Sequence, residues 1–519
     1  MSQRLGSGRD RGRRFEKYVA EIVEALGHAD RAGPFRAYCI GLLGPSERKS
    51  VEPMAAVVDP CRVSGRHQSM HHFVSSSAWS DRAVLAVACR SVLGALRRAG
   101  AEAFRPRVPF ALDLFCDPAQ HRRPMTDLSW CEVDVEALAH NVRVLKSLLP
   151  PGSKLAPTVK SDAYGHGLVL AAQAFLEGGA DWLCVNALFE AEALRKAQVQ
   201  CPIYVMGFVP PEDVERALEL DLRLVAYRGD VVERAEAVCA RRGWTARLHL
   251  KLETGNERQG LRDRDALELA RRIHDSPHLE LEGVASHYAN IEDTTDHTFA
   301  REQLRRFDAF LETLARSGIQ VPLPHFSNSA AVILWSDEHQ RLARVGIAAY
   351  GMWPSSETLV AAVLAGRKQI ELRPALTWKT RIAQLKDVPK GAFVGYGCSY
   401  QTTSPSRLAV LPVGYYDGYD RGLSNLAYAL VRGQRAPVRG RVCMNMAMID
   451  VTDVPGLDVR DEVVLLGRSG ESTITAEQLG SWIGTINYEV TTRIGSHVPR
   501  RPVRLTAPAH DPRAPTLPR

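Results

Sequence analysis

Between Lys154 and Ile347 β-rich runs alternate with helical patterns, and this rhythm limits the fold more than any other feature of the chain. The runs are Lys154–Lys160, Trp182–Asn186, Ile203–Phe208, Leu222–Tyr227, Arg247–Glu253, Leu281–Tyr288, Leu323–Asn328 and Leu342–Ile347. Helical patterns such as Val214–Leu220, Val231–Arg241, Asp265–Ile273 and Phe307–Ser317 separate them, and a strand and helix over Leu128 to Leu149 open the series. Strands joined through helices must pair in parallel, so eight units over about 200 residues predict an α/β fold, a (βα)8 TIM-type barrel. From about Ala375 the helical alternation thins into short strands with turns: Leu376–Leu385, Leu408–Val413, Ala427–Val431, Val442–Val451 and Glu462–Leu466. A mostly β C-terminal domain should therefore follow the barrel. At 519 residues the chain has room for three or so domains.

Barrels of this kind carry their chemistry at the C-terminal strand ends. Here the first run ends at Lys160, the sixth delivers His287, the seventh leads into Asn328-Ser329, and the eighth carries Arg344 before Gly346-Ile347. A lysine leaving a buried β-branched strand has a partly desolvated amine, which favours the neutral nucleophile that a Schiff base needs. Taken alone, Lys160 reads first as a lysine snorkelling from a strand end, Ser329 as a helix N-cap and His287 as a satisfied core histidine.

The block Pro157-Thr158-Val159-Lys160-Ser161-Asp162-Ala163-Tyr164-Gly165-His166-Gly167 resembles the pyridoxal-phosphate lysine motif of alanine racemases. Further blocks resemble that family in order. Leu250 to Gly260 is similar to its Lys-x-Asp-Thr-Gly-x-x-Arg block, with Glu253 in place of Asp. Ser286-His287-Tyr288 resembles the histidine strand, while Phe326 to Ala330 and Arg344 to Gly351 resemble the blocks around the phosphate and ring nitrogen. In the β-rich part, Gly414-Tyr415-Tyr416-Asp417-Gly418 resembles Gly-Tyr-x-Asp-Gly, and Arg441-Val442-Cys443-Met444-Asn445 resembles Gly-Arg-x-Cys-Met-Asp with Asn445 replacing Asp. Thr485 to Glu489 resembles the terminal phosphate motif.

The resemblance implies interconversion of L- and D-alanine with pyridoxal 5'-phosphate, supplying D-alanine for bacterial wall synthesis. It makes Lys160 and Tyr415 the two bases. Ser329, Gly346, Ile347 and Tyr488 would hold phosphate; Tyr164 would border the cofactor, His287 would stack near the ring, and Arg344 would face the pyridine nitrogen. Arg258 and the Met444 backbone would meet the substrate, and Lys251, carbamylated, would orient Arg258. His287 linked to Arg344 is the expected source of the positive charge that lowers the Tyr415 phenol from its ordinary value near 10. The family also implies a head-to-tail homodimer with Tyr415 and Met444 acting in trans. Asn445 removes a negative charge near the entrance and bears on substrate range. A broader-specificity amino acid racemase, and a non-catalytic pyridoxal-phosphate-binding protein with a DNA-binding remnant, are the alternatives.

The first hundred residues differ in kind. Phe15, Tyr18, Val19, Ile22, Val23 and Leu26 mark an amphipathic helix. Gly41 to Ser50, Arg66 to Phe73 and Ser77 to Ser80 resemble the N-terminal region of insertion-sequence transposases of the DDE class. The carboxylate triad of such enzymes would fall downstream, where the chain has changed character, so no transposase chemistry is expected. The sequence thus divides into a helical fragment over 1–101, a Pro- and Arg-rich linker over 102–124, a barrel over 125–365 and a β-rich domain over 366–519. An arginine-rich start and a net charge of +7 make the N-terminal segment a candidate for nucleic-acid contact. Ten scattered cysteines without a C-x-x-C pair argue against disulfides and zinc, and His67, His71 and His72 lack partners, so no metal is expected. With no apolar run of about 18 residues and no signal pattern, the chain is expected to be cytoplasmic and not membrane-bound.

Overall fold

The computed structural model describes residues 127–335, 341–367 and 369–505. The N-terminal expectations, including the helix from Phe15 and the histidines near position 70, lie outside them.

Eight parallel strands build the barrel: β2 (Lys154–Pro157), β3 (Leu183–Val185), β4 (Ile203–Val205), β5 (Leu222–Ala226), β6 (Ala246–Lys251), β7 (Leu279–Ala285), β8 (Leu323–His325) and β9 (Leu342–Val345), after an opening strand β1 (Ser129–Asp134). β3 to β8 form one curled sheet in sequence order, and β2 pairs with β9 in parallel. The two pieces meet where Thr158 bridges Cys184 and the Val159 N–H donates to the Cys184 carbonyl at 2.8 Å. At the other seam the Arg344 N–H donates to Ser327 Oγ at 2.8 Å.

Strand periodicity sorts the side chains. Leu183, Val185, Ile203, Val205, Leu222, Leu224, Leu248 and Leu250 join the main apolar core, where they pack with helix residues such as Ala191, Leu194, Val232 and Ala266. The alternate residues Ala156, Cys184, Tyr204, Val225 and Leu342 make a second, smaller apolar layer. Buried polar side chains Arg223, His249, Glu282 and Arg344 occupy the same alternate register.

The wrapping helices are α1 (Val135–Ser147), α2 (Leu168–Glu177), α3 (Leu188–Lys196), α4 (Val214–Glu219), α5 (Gly229–Arg242), α6 (Asp263–Asp275), α7 (Thr298–Arg316), α8 (Ser329–Leu334) and α9 (Ser356–Leu364). α1 starts cleanly because Asp134 accepts from the N–H groups of Glu136 and Ala137, satisfying two donors that the first turn leaves open.

Downstream strands form a sheet that includes β10 (Leu376–Arg381), β11 (Tyr428–Val431), β12 (Glu462–Ser469) and β13 (Arg500–Val503). β1 lies inside it, antiparallel to β10 and parallel to β13. The expected strand Leu376–Leu385 breaks after Arg381 and resumes as a separate strand at Gln384. Of Val442–Val451, only Ala447–Asp450 is strand. Two helices absent from the sequence reading, α10 (Ala476–Ile483) and α11 (Asn487–Thr492), close this part. Among the described residues no helix is long and apolar enough to cross a membrane.

Candidate active site

The pocket lies at the C-terminal ends of the barrel strands and is completed by α11. Its floor begins with an uncommon backbone. From Ser161 to Tyr164 the chain coils left-handed, with φ of 56, 52, 53 and 54°, before Gly165 at 83°. Each non-glycine residue in that region costs roughly 1–2 kcal/mol, so surrounding contacts must hold the turn. Glu190 does so from α3: its carboxylate accepts from the N–H groups of Ser161 at 2.6 Å, Asn186 at 2.8 Å and Ala187 at 3.0 Å. Asp162 accepts from Leu168 N–H at 2.8 Å. At Gly165 a Cβ would lie 2.1 Å from the Thr491 carbonyl of α11, so only glycine lets the lysine turn dock there.

Lys160 opens this turn and lines the pocket with Lys251, Arg258, His287 and Arg344. Burial lowers the Lys160 amine below its ordinary value, the Arg258 charge adds to that, and Glu190 opposes it. Lys251 is pushed well down by burial and then by Arg344 and Arg258. His287 is held well below the ordinary histidine range by burial, then by Lys251, Arg344, Arg258 and Lys160. A concentration of basic groups this deep is costly without a counter-charge, which suits the pocket to an anionic ligand.

The position of Arg344 follows from a hydrogen-bonded chain. Its guanidinium donates to His325 Nδ1, to the His325 carbonyl at 3.1 Å and to the Ser286 carbonyl at 2.7 Å. A guanidinium can only donate, so His325 carries its proton on Nε2, which faces His249 Nδ1 at 2.7 Å. His249 then donates from Nε2 to Glu282 at 2.9 Å. Burial holds both imidazoles low, so neutral rings connect a fixed cation to a carboxylate. Arg344 is therefore linked to His325, not to the His287 ring as expected, and a neutral His287 does not supply a positive charge.

At the opposite end Ser329 Oγ accepts from the N–H groups of Gly346 at 2.9 Å and Ala348 at 3.3 Å. Gly346 has no side chain, and a Cβ there would meet the Tyr164 hydroxyl at 2.6 Å. The Ile347 side chain is buried in the core, leaving its backbone as the part available to the site. Tyr488 on α11 donates to Glu292 at 3.1 Å, and Asn328 donates to the same carboxyl at 3.0 Å. These hydroxyl groups, the glycine backbone and the nearby basic cluster fit a phosphorylated aromatic aldehyde: a lysine to bind the carbonyl carbon, donors for phosphate, and a guanidinium for the ring.

The loop bearing Arg258 is set by Glu253, whose carboxylate accepts from the N–H groups of Gly255 at 2.5 Å and Asn256 at 2.6 Å. The longer acid in place of Asp thus still grips this turn.

Nine of the residues expected in the site line the pocket: Lys160, Tyr164, Lys251, Arg258, His287, Ser329, Arg344, Gly346 and Tyr488. Tyr415 and Met444 do not. They sit together on the surface of the β-rich part, 44% and 55% exposed, where Tyr415 N–H donates to Cys443 O at 3.0 Å and Tyr416 N–H to Met444 O at 2.9 Å. His249, Glu282, His325 and Glu292 belong to the site but are not among the residues that the sequence singles out. Polar residues interrupting apolar barrel strands were the available signal for the first three; Glu292 gave none, because it lies in a loop.

Comparison with known proteins agrees with this geometry. Residues 133–354 match the model of the alanine racemase N-terminal domain and residues 375–502 that of the C-terminal domain. Residues 21–104 match a DDE superfamily endonuclease model. An alanine racemase of Syntrophobacter fumaroxidans is 42% identical over 367 residues, covering 71% of this chain and 95% of the relative. The structure of an alanine racemase from Clostridium difficile superposes with a TM-score of 0.69 at 30% identity, covering 73% of this chain and 97% of that one. One from Bartonella henselae with covalently bound pyridoxal phosphate gives 0.63 at 26%, covering 72% and 99%. With both domain models matched in order across the barrel and the β-rich part, the chain belongs to the alanine racemase family.

Proposed function

We propose that this chain interconverts L-alanine and D-alanine with pyridoxal 5'-phosphate by a two-base mechanism, Lys160 acting on one face of the substrate and Tyr415 on the other. The observation that carries the reading is the Lys160 amine, lowered below its ordinary value by burial, inside a pocket lined by basic groups. The bound cofactor would delocalise the electron pair left when the α-proton departs. The residues do the rest. One base takes the proton from Cα while its counterpart on the opposite face returns one, so the configuration inverts and no net proton is consumed.

Ser329, the backbone at Gly346 and Ile347, and Tyr488 would hold phosphate, with Tyr164 packed behind Gly346. His287 would stack near the ring. Arg344, fixed through His325 and His249, would keep a permanent positive charge toward the ring nitrogen and disfavour its protonation, which limits side reactions such as transamination. Arg258 and the Met444 backbone would orient the substrate carboxylate. Burial and the charges of Arg344 and Arg258 push the Lys251 amine well down, which favours carbamylation, and the carbamate would be an anion beside Arg258 that orients it.

Because Tyr415 and Met444 are exposed and outside their own chain's pocket, we assign them to the barrel of a second subunit in a head-to-tail homodimer. The catalytic unit would occupy a barrel over 125–365 and a β-rich domain over 366–519. Residues 1–101 would be an appended fragment joined by a linker over 102–124, with nucleic acid as its candidate ligand. A cytoplasmic enzyme feeding D-alanine to peptidoglycan synthesis is the corresponding role.

A coupled assay for D-alanine formed from L-alanine, with the cofactor absorbance recorded, tests the reading on wild type, Lys160→Ala and Tyr415→Phe. Turnover lost in both variants, with the cofactor spectrum altered only in the first, is expected. Wild-type turnover by Tyr415→Phe would refute the two-base assignment.

A further inference from the structure

The Tyr415 loop is not held by its own strands alone. Asp417, two residues on, turns its carboxylate back beneath the loop, with Oδ2 accepting from Gly414 N–H at 2.8 Å. Its other oxygen, Oδ1, meets His497 Nε2 at 2.9 Å. The Asp417 carbonyl accepts from Gly495 N–H at 2.9 Å, so the loop is tied to the chain after α11 through both side chain and backbone. The His497 ring also stacks on Tyr416, with centroids 4.7 Å apart and planes 27° apart. Close packing completes the joint: at Gly418 a Cβ would lie 2.4 Å from the Arg493 carbonyl.

That C-terminal segment is itself braced. The Arg500 guanidinium donates to the carbonyls of Ile494 at 2.8 Å, Gly495 at 2.5 Å and Val498 at 2.6 Å, and also to Gly165 of the lysine turn at 2.9 Å. The His497 ring stacked on Tyr416 is therefore carried by a segment already bonded to the cofactor-lysine backbone, although Tyr415 itself stands exposed.

We infer that His497, acting through Asp417, is a positioning residue for the second base. The inference rests on Tyr415 being that base. The hydroxyl of an exposed tyrosine explores many positions unless its backbone is fixed, and proton transfer falls steeply with small displacements of the acceptor. A histidine donor on one carboxylate oxygen leaves the other free to hold Gly414. The Tyr416 stack adds a second contact between His497 and the loop. His497 needs no contact with substrate to do this.

The test separates the two faces of the reaction. Racemisation and deuterium wash-in at Cα from each enantiomer in D2O are measured for the full chain with its cofactor, for wild type, Tyr415→Phe, His497→Ala and His497→Gln. Tyr415→Phe identifies the enantiomer whose exchange depends on Lys160 alone. His497→Ala should lower the racemisation kcat about tenfold with KM within about twofold, while that Lys160-dependent wash-in and the cofactor spectrum stay at wild-type level. His497→Gln, whose amide can still donate to Asp417, should recover much of the loss. Wild-type racemisation in His497→Ala, parallel loss of wash-in and racemisation, or no recovery in His497→Gln would each overturn the inference. If Tyr415→Phe abolishes racemisation while His497→Ala is normal, only the positioning role falls. If Tyr415→Phe still racemises, the base assignment falls and takes the positioning role with it.

Discussion

Replacing Glu292 by glutamine offers a direct test of the pocket's electrostatics. Burial pushes this carboxyl up to about 7; the neighbouring Asp293 adds to the rise, while the Tyr488 hydrogen bond works against it. In the unfolded chain the group titrates near its ordinary value of about 4.3. Between those values the native protein keeps a proton that the unfolded chain has released. Stability therefore falls as pH rises through this window and is level on either side. At about 1.4 kcal/mol per pH decade, the carboxyl withdraws about 3 kcal/mol of stability by pH 8 that is present at pH 4. Glutamine keeps an acceptor for Asn328 and an amide that can donate to the Tyr488 oxygen, but cannot ionise. Urea unfolding of both proteins at pH 5 and pH 8 measures the difference. Glu292→Gln should gain on wild type by most of that amount between the two pH values. Parallel pH dependence in the two proteins would refute the reasoning.

Gly165→Ala sets a left-handed alanine against the Thr491 carbonyl and should cost about 2–4 kcal/mol, read as a lower unfolding midpoint with weakened cofactor retention. A shortened protein beginning at Met125 should fold and racemise alanine at the full-length rate; loss of either, by circular dichroism or the coupled assay, would show that the preceding residues are needed. The full chain, and not the shortened one, should retard DNA in a gel at low salt and release it as salt rises; no retardation at low salt would end the nucleic-acid reading. Lys160→Ala should lose essentially all racemisation while its unfolding midpoint stays within a few degrees of wild type, since the side chain faces the pocket and not the apolar core.

Much of this protein was legible in one dimension. Alternation of apolar strands with amphipathic helices determines parallel pairing because the connections leave no other geometry, and each barrel strand overlaps one of the eight expected runs, with β6 and β7 starting one and two residues earlier than expected. Local blocks such as Val159 to Gly167 place Lys160 at a strand end by residue order alone, so they too could be read directly, whereas the left-handed turn that follows is held by Glu190 and Thr491, distant in sequence. Tertiary structure decided what depends on groups distant in sequence. β1 joins a sheet whose partners, β10 and β13, lie some hundreds of residues away, which no periodicity announces. The partner of Arg344 is His325 and not His287, because adjacent barrel strands β8 and β9 bring those side chains together inside the barrel. Tyr415 stands exposed outside the pocket that holds Lys160, whereas Tyr488 of the same β-rich part lines it, a division that depends on how the whole C-terminal part packs. Sequence supplies the reactive groups; which of them face one another is set by strand pairing and packing across the whole chain.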